Sequence, residues 1–313
     1  MAIKRFQNKV AEGRYLLPSV ALYTLGVWYL EGLVPQKLYV QIVCFSVATY
    51  LMVELNNNNA LIRTYSRMVS SSFLLLSAMA AFLFPSLTVA IVQVCTVAFY
   101  TIIFRTYQDK LSPGLTFYAF FCLGIASVVF IQIVFFVPFL WLMMTFYLMA
   151  FSPKMLIASI IGIIAPYWFL APAAALTDNL DKLVAHFFAI ADFQPLFQYG
   201  EIKETQLIAF ALTVLLALLG IVHFLRKSYM DKIRTRMLYY IFIAMDVILI
   251  AFIVLQPQHC DVLLTMLIIN SSPLIAHFFT LTHTKTTNFL FMLFILALLL
   301  ATAYNLWQTS PVL

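Results

Sequence analysis

Apolar residues run along the chain in long blocks, broken by short polar and basic segments. A helix crossing a bilayer needs about 17–25 such residues. Backbone polar groups in lipid must be satisfied within the segment, so blocks of this kind predict helices. Eleven crossings are expected, near 15–33, 38–54, 68–85, 87–104, 113–131, 134–151, 155–176, 207–225, 237–255, 261–281 and 288–306. The stretch 115–151 is almost unbroken and too long for one span, so a split is placed near Gln132. Pro138 then falls in the first turn of the following helix, where proline is tolerated. The third and fourth spans turn tightly at Pro85-Ser86. The predicted fold is all-α, a single polytopic transmembrane bundle.

Composition supports this pattern. Of 313 residues, 64% are hydrophobic and only 10% charged, against about 25% charged in a soluble domain. Thirty Phe and 16 Tyr suit lipid-facing rings and interfacial anchors. The net charge of +6 does not imply nucleic acid, because the basic residues lie between apolar runs rather than in one patch. With the N-terminus inside, 15 of the 18 Lys and Arg, Lys4 among them, fall in inside segments; the other three are Lys37, Lys182 and Lys203. This positive-inside bias predicts an odd number of crossings, a cytoplasmic N-terminus and an outside C-terminus. A basic segment before the apolar stretch 15–29 superficially resembles a secretory signal. No small-residue cleavage pattern follows, so an uncleaved first span is expected.

Four cysteines are scattered, and no Cys/His spacing suggests zinc. No cofactor or phosphate-cradle motif is found, so no metal and no cofactor are expected. The eight glycines include no pair four apart, which points to helix packing through Ala, Ser and larger side chains.

Candidate chemistry is sparse. Asp246 stands alone in "YYIFIAMDVILIAFIVL", residues 239–255. A carboxylate at that depth is costly and is by default a functional candidate. Asp246 lies twelve residues before Gln258, and Asn270 twelve after it. At 1.5 Å per residue both sit about 18 Å deep on antiparallel helices. Asp246, Asn270, Ser271 and, one to two turns on, His277 form the expected membrane-interior polar site. Pro273 frees a carbonyl near Ile269. Two readings stand: a protonated acid gluing two helices, or a proton or substrate site. Residues 178–191 place Leu180, Leu183, Val184, Phe187 and Ala191 at helical spacing, predicting an amphipathic helix ended near Pro195 on the outer surface. It belongs to an outer loop, 177–206, whose acids are Asp178, Asp181, Asp192, Glu201 and Glu204. The loop is read as a plain connector or a lid. Pro166 is expected to kink the seventh span, with Tyr167 and Trp168 either lining a cavity or anchoring at headgroups. In "ELNNNNALIRTYSR", residues 54–67, Asn59 is expected to cap a helix starting at Ala60. Arg63 and Arg67 would share one face of that helix as candidates for anionic headgroups.

The stretches "ELNNNNALIR", "GIIAPYWF" and "NSSPLIAHFF" resemble a family of uncharacterised polytopic bacterial inner-membrane proteins. The resemblance implies a multi-span protein of the bacterial inner (cytoplasmic) membrane and no established activity. In topology alone the chain is also similar to membrane glycosyltransferases that use polyprenyl-phosphate sugars. Those carry an acid just after the first span, the place of Glu31, although here the first outer loop spans only 34–37. That similarity implies an outer-face enzyme with Glu31, Asp178 and Asp181 as candidate catalytic groups. The main expectation is a non-catalytic protein that binds or moves an amphiphilic or lipid-linked molecule, or serves a membrane protein partner.

Overall fold

A computed structural model describes residues 5–193, 195–197, 199–200 and 202–309; Lys4 and Glu201 lie outside the described residues. Among those described there are thirteen α-helices and no strand. They are α1 (Phe6–Ala11), α2 (Leu16–Leu30), α3 (Tyr39–Asn59), α4 (Met68–Met79), α5 (Leu87–Ile103), α6 (Pro113–Val129), α7 (Val137–Phe146), α8 (Pro153–Leu176), α9 (Leu180–Phe188), α10 (Glu204–Lys227), α11 (Ile233–Leu255), α12 (Cys260–Leu281) and α13 (Lys285–Thr309).

The centre of the bundle is α12. Every residue from Val262 to Thr280 is buried, and α4, α5, α10 and α11 pack around it. The peripheral helices reverse the pattern of a soluble protein. On α8, Ile157, Ile161, Ile164 and Trp168 face outward; on α13, Phe289, Leu293, Leu296 and Leu300 do. An apolar surface of this extent is costly in water and stable in hydrocarbon. Among the described residues, seven helical stretches are long and apolar enough to cross a membrane: Tyr39–Asn59, Leu87–Thr106, Pro153–Leu176, Glu204–Met230, Ile233–Leu255, Pro257–Leu281 and Lys285–Gln308. In its apolar window α12 is 94% buried and α8 only 22%, which separates a core helix from a peripheral one. Four further apolar stretches are shorter: Leu16–Leu30, Met68–Met79, Pro113–Val129 and Ile131–Phe146.

Two of these depart from the expected lengths. α4 stops at Met79, well short of residue 85, and a 3-10 turn at Ala81–Leu83 follows. The break is stabilised from another helix, because the Asn305 amide of α13 donates to the Met79 carbonyl that the ended helix exposes. Near 134–151 only Val137–Phe146 is α-helical, after a 3-10 segment at Ile131–Phe136. Ser86 caps α5, accepting from the Val89 amide at 3.3 Å. α8 remains one helix through Pro166 and Pro172.

Two expectations are corrected outright. No helix begins at Ala60. Instead α3 runs through all four asparagines and ends there, with Ala60 in the left-handed region at φ 46. Two of the asparagines are buried and find partners: the Asn56 amide donates to the Ser66 carbonyl at 3.2 Å, and Asn59 Oδ1 accepts from Arg234 at 2.9 Å. Arg63 and Arg67 therefore sit in a non-helical connection and share no helical face. Glycine, secondly, is central to one contact despite the missing GxxxG pattern. α6 and α8 approach so closely that a Cβ on Gly162 would lie 2.6 Å from the Phe117 carbonyl, and one on Gly124 2.7 Å from that of Ile163. One glycine from each helix does what two on one helix would otherwise do.

The ends of the helices form two sets. At one end Arg234 joins α11 to Asn59 of α3 and to the Phe104 carbonyl after α5. There, too, Gln7 of the short α1 binds the Phe279 and Thr282 carbonyls of α12. At the opposite end Gln41 reaches the Pro85 carbonyl, Gln206 reaches Asp261, and Tyr304 reaches Glu204.

Candidate functional site

Asp246 is fully buried on α11. The Ser271 hydroxyl of α12 lies 3.3 Å from each of its carboxylate oxygens. Asn270 is equally buried, and its side chain lies within reach of the Tyr100 hydroxyl of α5, which also stands in the field of Asp246. No hydrogen bond of standard geometry closes on either polar atom of the Asn270 amide. An unsatisfied buried polar group costs about 1–3 kcal/mol, so this amide is a specific feature of the core rather than neutral filler. Three helices thus contribute to one polar cluster. The sequence placed Asp246 level with 270–271 but gave no sign of Tyr100.

Nearer the Arg234 end lies a second cluster. His277 Nε2 of α12 is 3.0 Å from Asp231 Oδ2, with both side chains almost fully buried. The rings of His223, Phe224 and Tyr239 surround His277, and the Tyr239 hydroxyl donates to the Pro273 carbonyl at 3.3 Å. Asp231 lies between α10 and α11, beside Met230, whose carbonyl accepts from Arg63 at 3.4 Å. Sequence reasoning passed over Asp231 because it sits in a basic connection that reads as solvated. Arg67 lies over the Tyr65 ring at 5.5 Å and is half-buried.

At the opposite end α9 lies across the ends of α6 and α8. His186 Nε2 is 3.0 Å from the Ser127 carbonyl and 3.4 Å from the Tyr167 hydroxyl, which is itself 3.0 Å from the Ser127 hydroxyl. This bridge holds one side of an open cleft of about 420 Å³. Val128, Leu170, Ala173 and Leu183 give it apolar walls; Tyr167, Asn179, Lys182 and His186 give it polar edges. Tyr167 therefore lines a cavity, whereas Trp168 is 77% exposed on the helix exterior. The apolar residues Leu180, Val184 and Phe187 of α9 are about half exposed.

The residues suggested for catalysis do not converge. Glu31 is buried at the C-terminal end of α2, which packs mainly on α4. Asp178 and Asp181 are exposed beside α9, which packs on α8. Among the described residues no three His, Cys, Asp or Glu side chains gather where they would hold a metal ion.

The fold defines a class: an apolar helical bundle compatible with a multi-pass membrane protein. Comparison with family models, with curated proteins and with solved structures gives no match, so no activity is transferred to the chain.

Proposed function

We propose that the chain crosses a bacterial inner membrane eleven times, N-terminus in the cytoplasm, and binds an amphiphilic or lipid-linked molecule in the cleft between α8 and α9. The cleft carries this reading. Its volume of about 420 Å³ lies within the roughly 300–1,000 Å³ range of ligand sites. Apolar walls beside a lysine edge suit an acyl or prenyl chain ending in an anionic headgroup. The eleven-crossing arrangement draws on the four shorter apolar helices as well as the seven long ones. α4 has twelve residues, about 18 Å at 1.5 Å per residue. Eleven of them are buried, and irregular backbone at membrane depth is tolerated where protein covers it. The basic connections, including Arg63, Arg226, Lys227 and Arg234, then face the cytoplasm.

The test is lipid analysis of the full chain purified in native membrane discs, beside an Ala173→Trp variant that fills the cleft. The unsubstituted chain should retain one enriched amphiphile. The variant should retain at least about tenfold less, the equivalent of 1.4 kcal/mol of lost affinity. Equal lipid complements in the two would remove the cleft as the binding site.

A further inference from the structure

We propose that Asp246, Ser271, Asn270 and Tyr100 form a binding site for one sodium ion at the centre of the bundle. The inference is independent of the α8–α9 cleft and stands on geometry at a different place.

The Ser271 oxygen is equidistant from the two Asp246 oxygens, at 3.3 Å. A hydroxyl hydrogen-bonded to a carboxylate normally chooses one oxygen at about 2.5–2.7 Å. Oxygens held around a cation at about 2.4 Å stand about 3.4 Å apart when they subtend a right angle. The hydroxyl thus bridges both oxygens without committing to either, a spacing that also suits oxygens gathered around one ion.

The neighbouring groups supply further oxygen. Asn270 is fully buried, and no hydrogen bond of standard geometry closes on its amide oxygen. The Tyr100 hydroxyl lies within reach of that amide and in the field of Asp246. Pro273, inside α12, removes the amide that would bond the Ile269 carbonyl. That carbonyl, one turn from Pro273 on the helix that carries Asn270 and Ser271, is a further oxygen without its usual helical donor. The charge selects the valence, because Asp246 is the only acid in the cluster. One positive charge gives a neutral site, whereas a divalent ion would leave an uncompensated charge in the interior.

Polar side chains continue along α5 toward the end opposite Arg234. Gln93, Thr96 and Tyr100 share one face of α5 by their spacing of three and four. Gln93 lines a small cavity of about 20 Å³ that also touches Ser77, Thr265 and Ile268, room for about one water. The Ser77 and Thr96 hydroxyls are buried without hydrogen-bond partners, so a desolvating ion would meet oxygen on the way to Asp246.

The experiment follows the melting temperature of the purified full chain as choline chloride is replaced by sodium chloride at constant ionic strength. The melting temperature should rise by several degrees and saturate, with potassium less effective. Asp246→Asn should abolish the response. Ser271→Ala should keep it but move its midpoint about tenfold higher in sodium, as expected for one lost oxygen ligand. If Asp246→Asn does not fold, equilibrium binding of radioactive sodium to the unsubstituted chain and to Ser271→Ala decides. Saturable binding weakened by that variant supports the site. A melting temperature indifferent to sodium, a response unchanged in either variant, or no saturable binding would overturn it. A cluster that takes only a proton belongs to the first of those outcomes.

Discussion

Gly162→Leu should prevent the α6–α8 pair from forming and bring the purified, folded chain to a small fraction of its normal yield. At this position an added Cβ already lies 2.6 Å from the Phe117 carbonyl, 3.0 Å from the Phe121 nitrogen and 3.1 Å from the Phe120 Cβ. Two of those atoms are backbone and cannot swing aside, so the helices must separate. Overpacking of a core side chain typically costs about 1–3 kcal/mol, and Gly162→Ala should fall at or above the upper end of that range. Helix pairs in lipid associate through close packing rather than the hydrophobic effect, so separation forfeits the main attraction between them. Gly124→Ala should behave alike, since its Cβ would meet the Ile163 and Gly162 carbonyls at 2.7 and 2.9 Å. Gly26→Ala and Gly114→Ala are the controls: nothing lies within 4 Å of either added Cβ, and the better helix propensity of alanine should leave stability unchanged or slightly raised. Thermal unfolding in detergent measures all four alanine variants. Loss in the controls as deep as at Gly162 would mean that the close approach is not what holds the two helices.

The second large effect is expected at the Asp231–His277 pair. Removing one partner of a buried, hydrogen-bonded polar pair costs about 3–5 kcal/mol, mostly because the other is left buried and unpaired. Both side chains are almost completely enclosed, so Asp231→Ala and His277→Ala should each fall in that range. Asp231 is the one side chain within hydrogen-bond distance of His277 among the described residues, its other neighbours being the rings of His223, Phe224 and Tyr239. A double variant, Asp231→Leu with His277→Phe, removes both polar groups together and should recover at least half of either single loss. Chemical unfolding of the unsubstituted chain, Asp231→Leu, His277→Phe and the double variant closes a double-mutant cycle that reads the coupling. Additive losses, with no recovery in the double variant, would show that the pair is not coupled and that Asp231 tolerates exposure.

The blocks of apolar residues made the helices legible because the hydrocarbon constraint acts on composition and length, both of which are local. The level of Asp246 against residues 270–271 was legible for a similar reason: it needs only the helical rise and one turn. Tyr100 was not, because its place beside Asn270 depends on which face of α5 meets α12 across 170 residues of sequence. The Asp231–His277 contact failed to show for the same reason, and because an acid among lysines and arginines normally reads as solvated. "NNNN" was misread by a local rule. Asparagine favours caps and turns when its side chain is free to bond nearby backbone, but Asn56 and Asn59 find partners in Ser66 and Arg234, which makes continuing the helix the better state. The glycine contact escaped a one-helix motif search because its two members come from different helices. The cleft could not have been read at all: its polar edges come from α8 and α9, and its depth depends on the His186 bridge to α6.

The proposed arrangement has apolar helices crossing a bilayer with their basic connections on the cytoplasmic side. The most direct measurement labels single cysteines with a membrane-impermeant maleimide in intact cells, in a chain whose four native cysteines have been replaced. Tyr229→Cys and Lys203→Cys are both at exposed positions. Tyr229→Cys should react only after the cells are permeabilised, while Lys203→Cys should react at once. Immediate labelling of Tyr229→Cys with protection of Lys203→Cys would contradict the orientation, and equal labelling of both in intact cells would contradict the crossing itself.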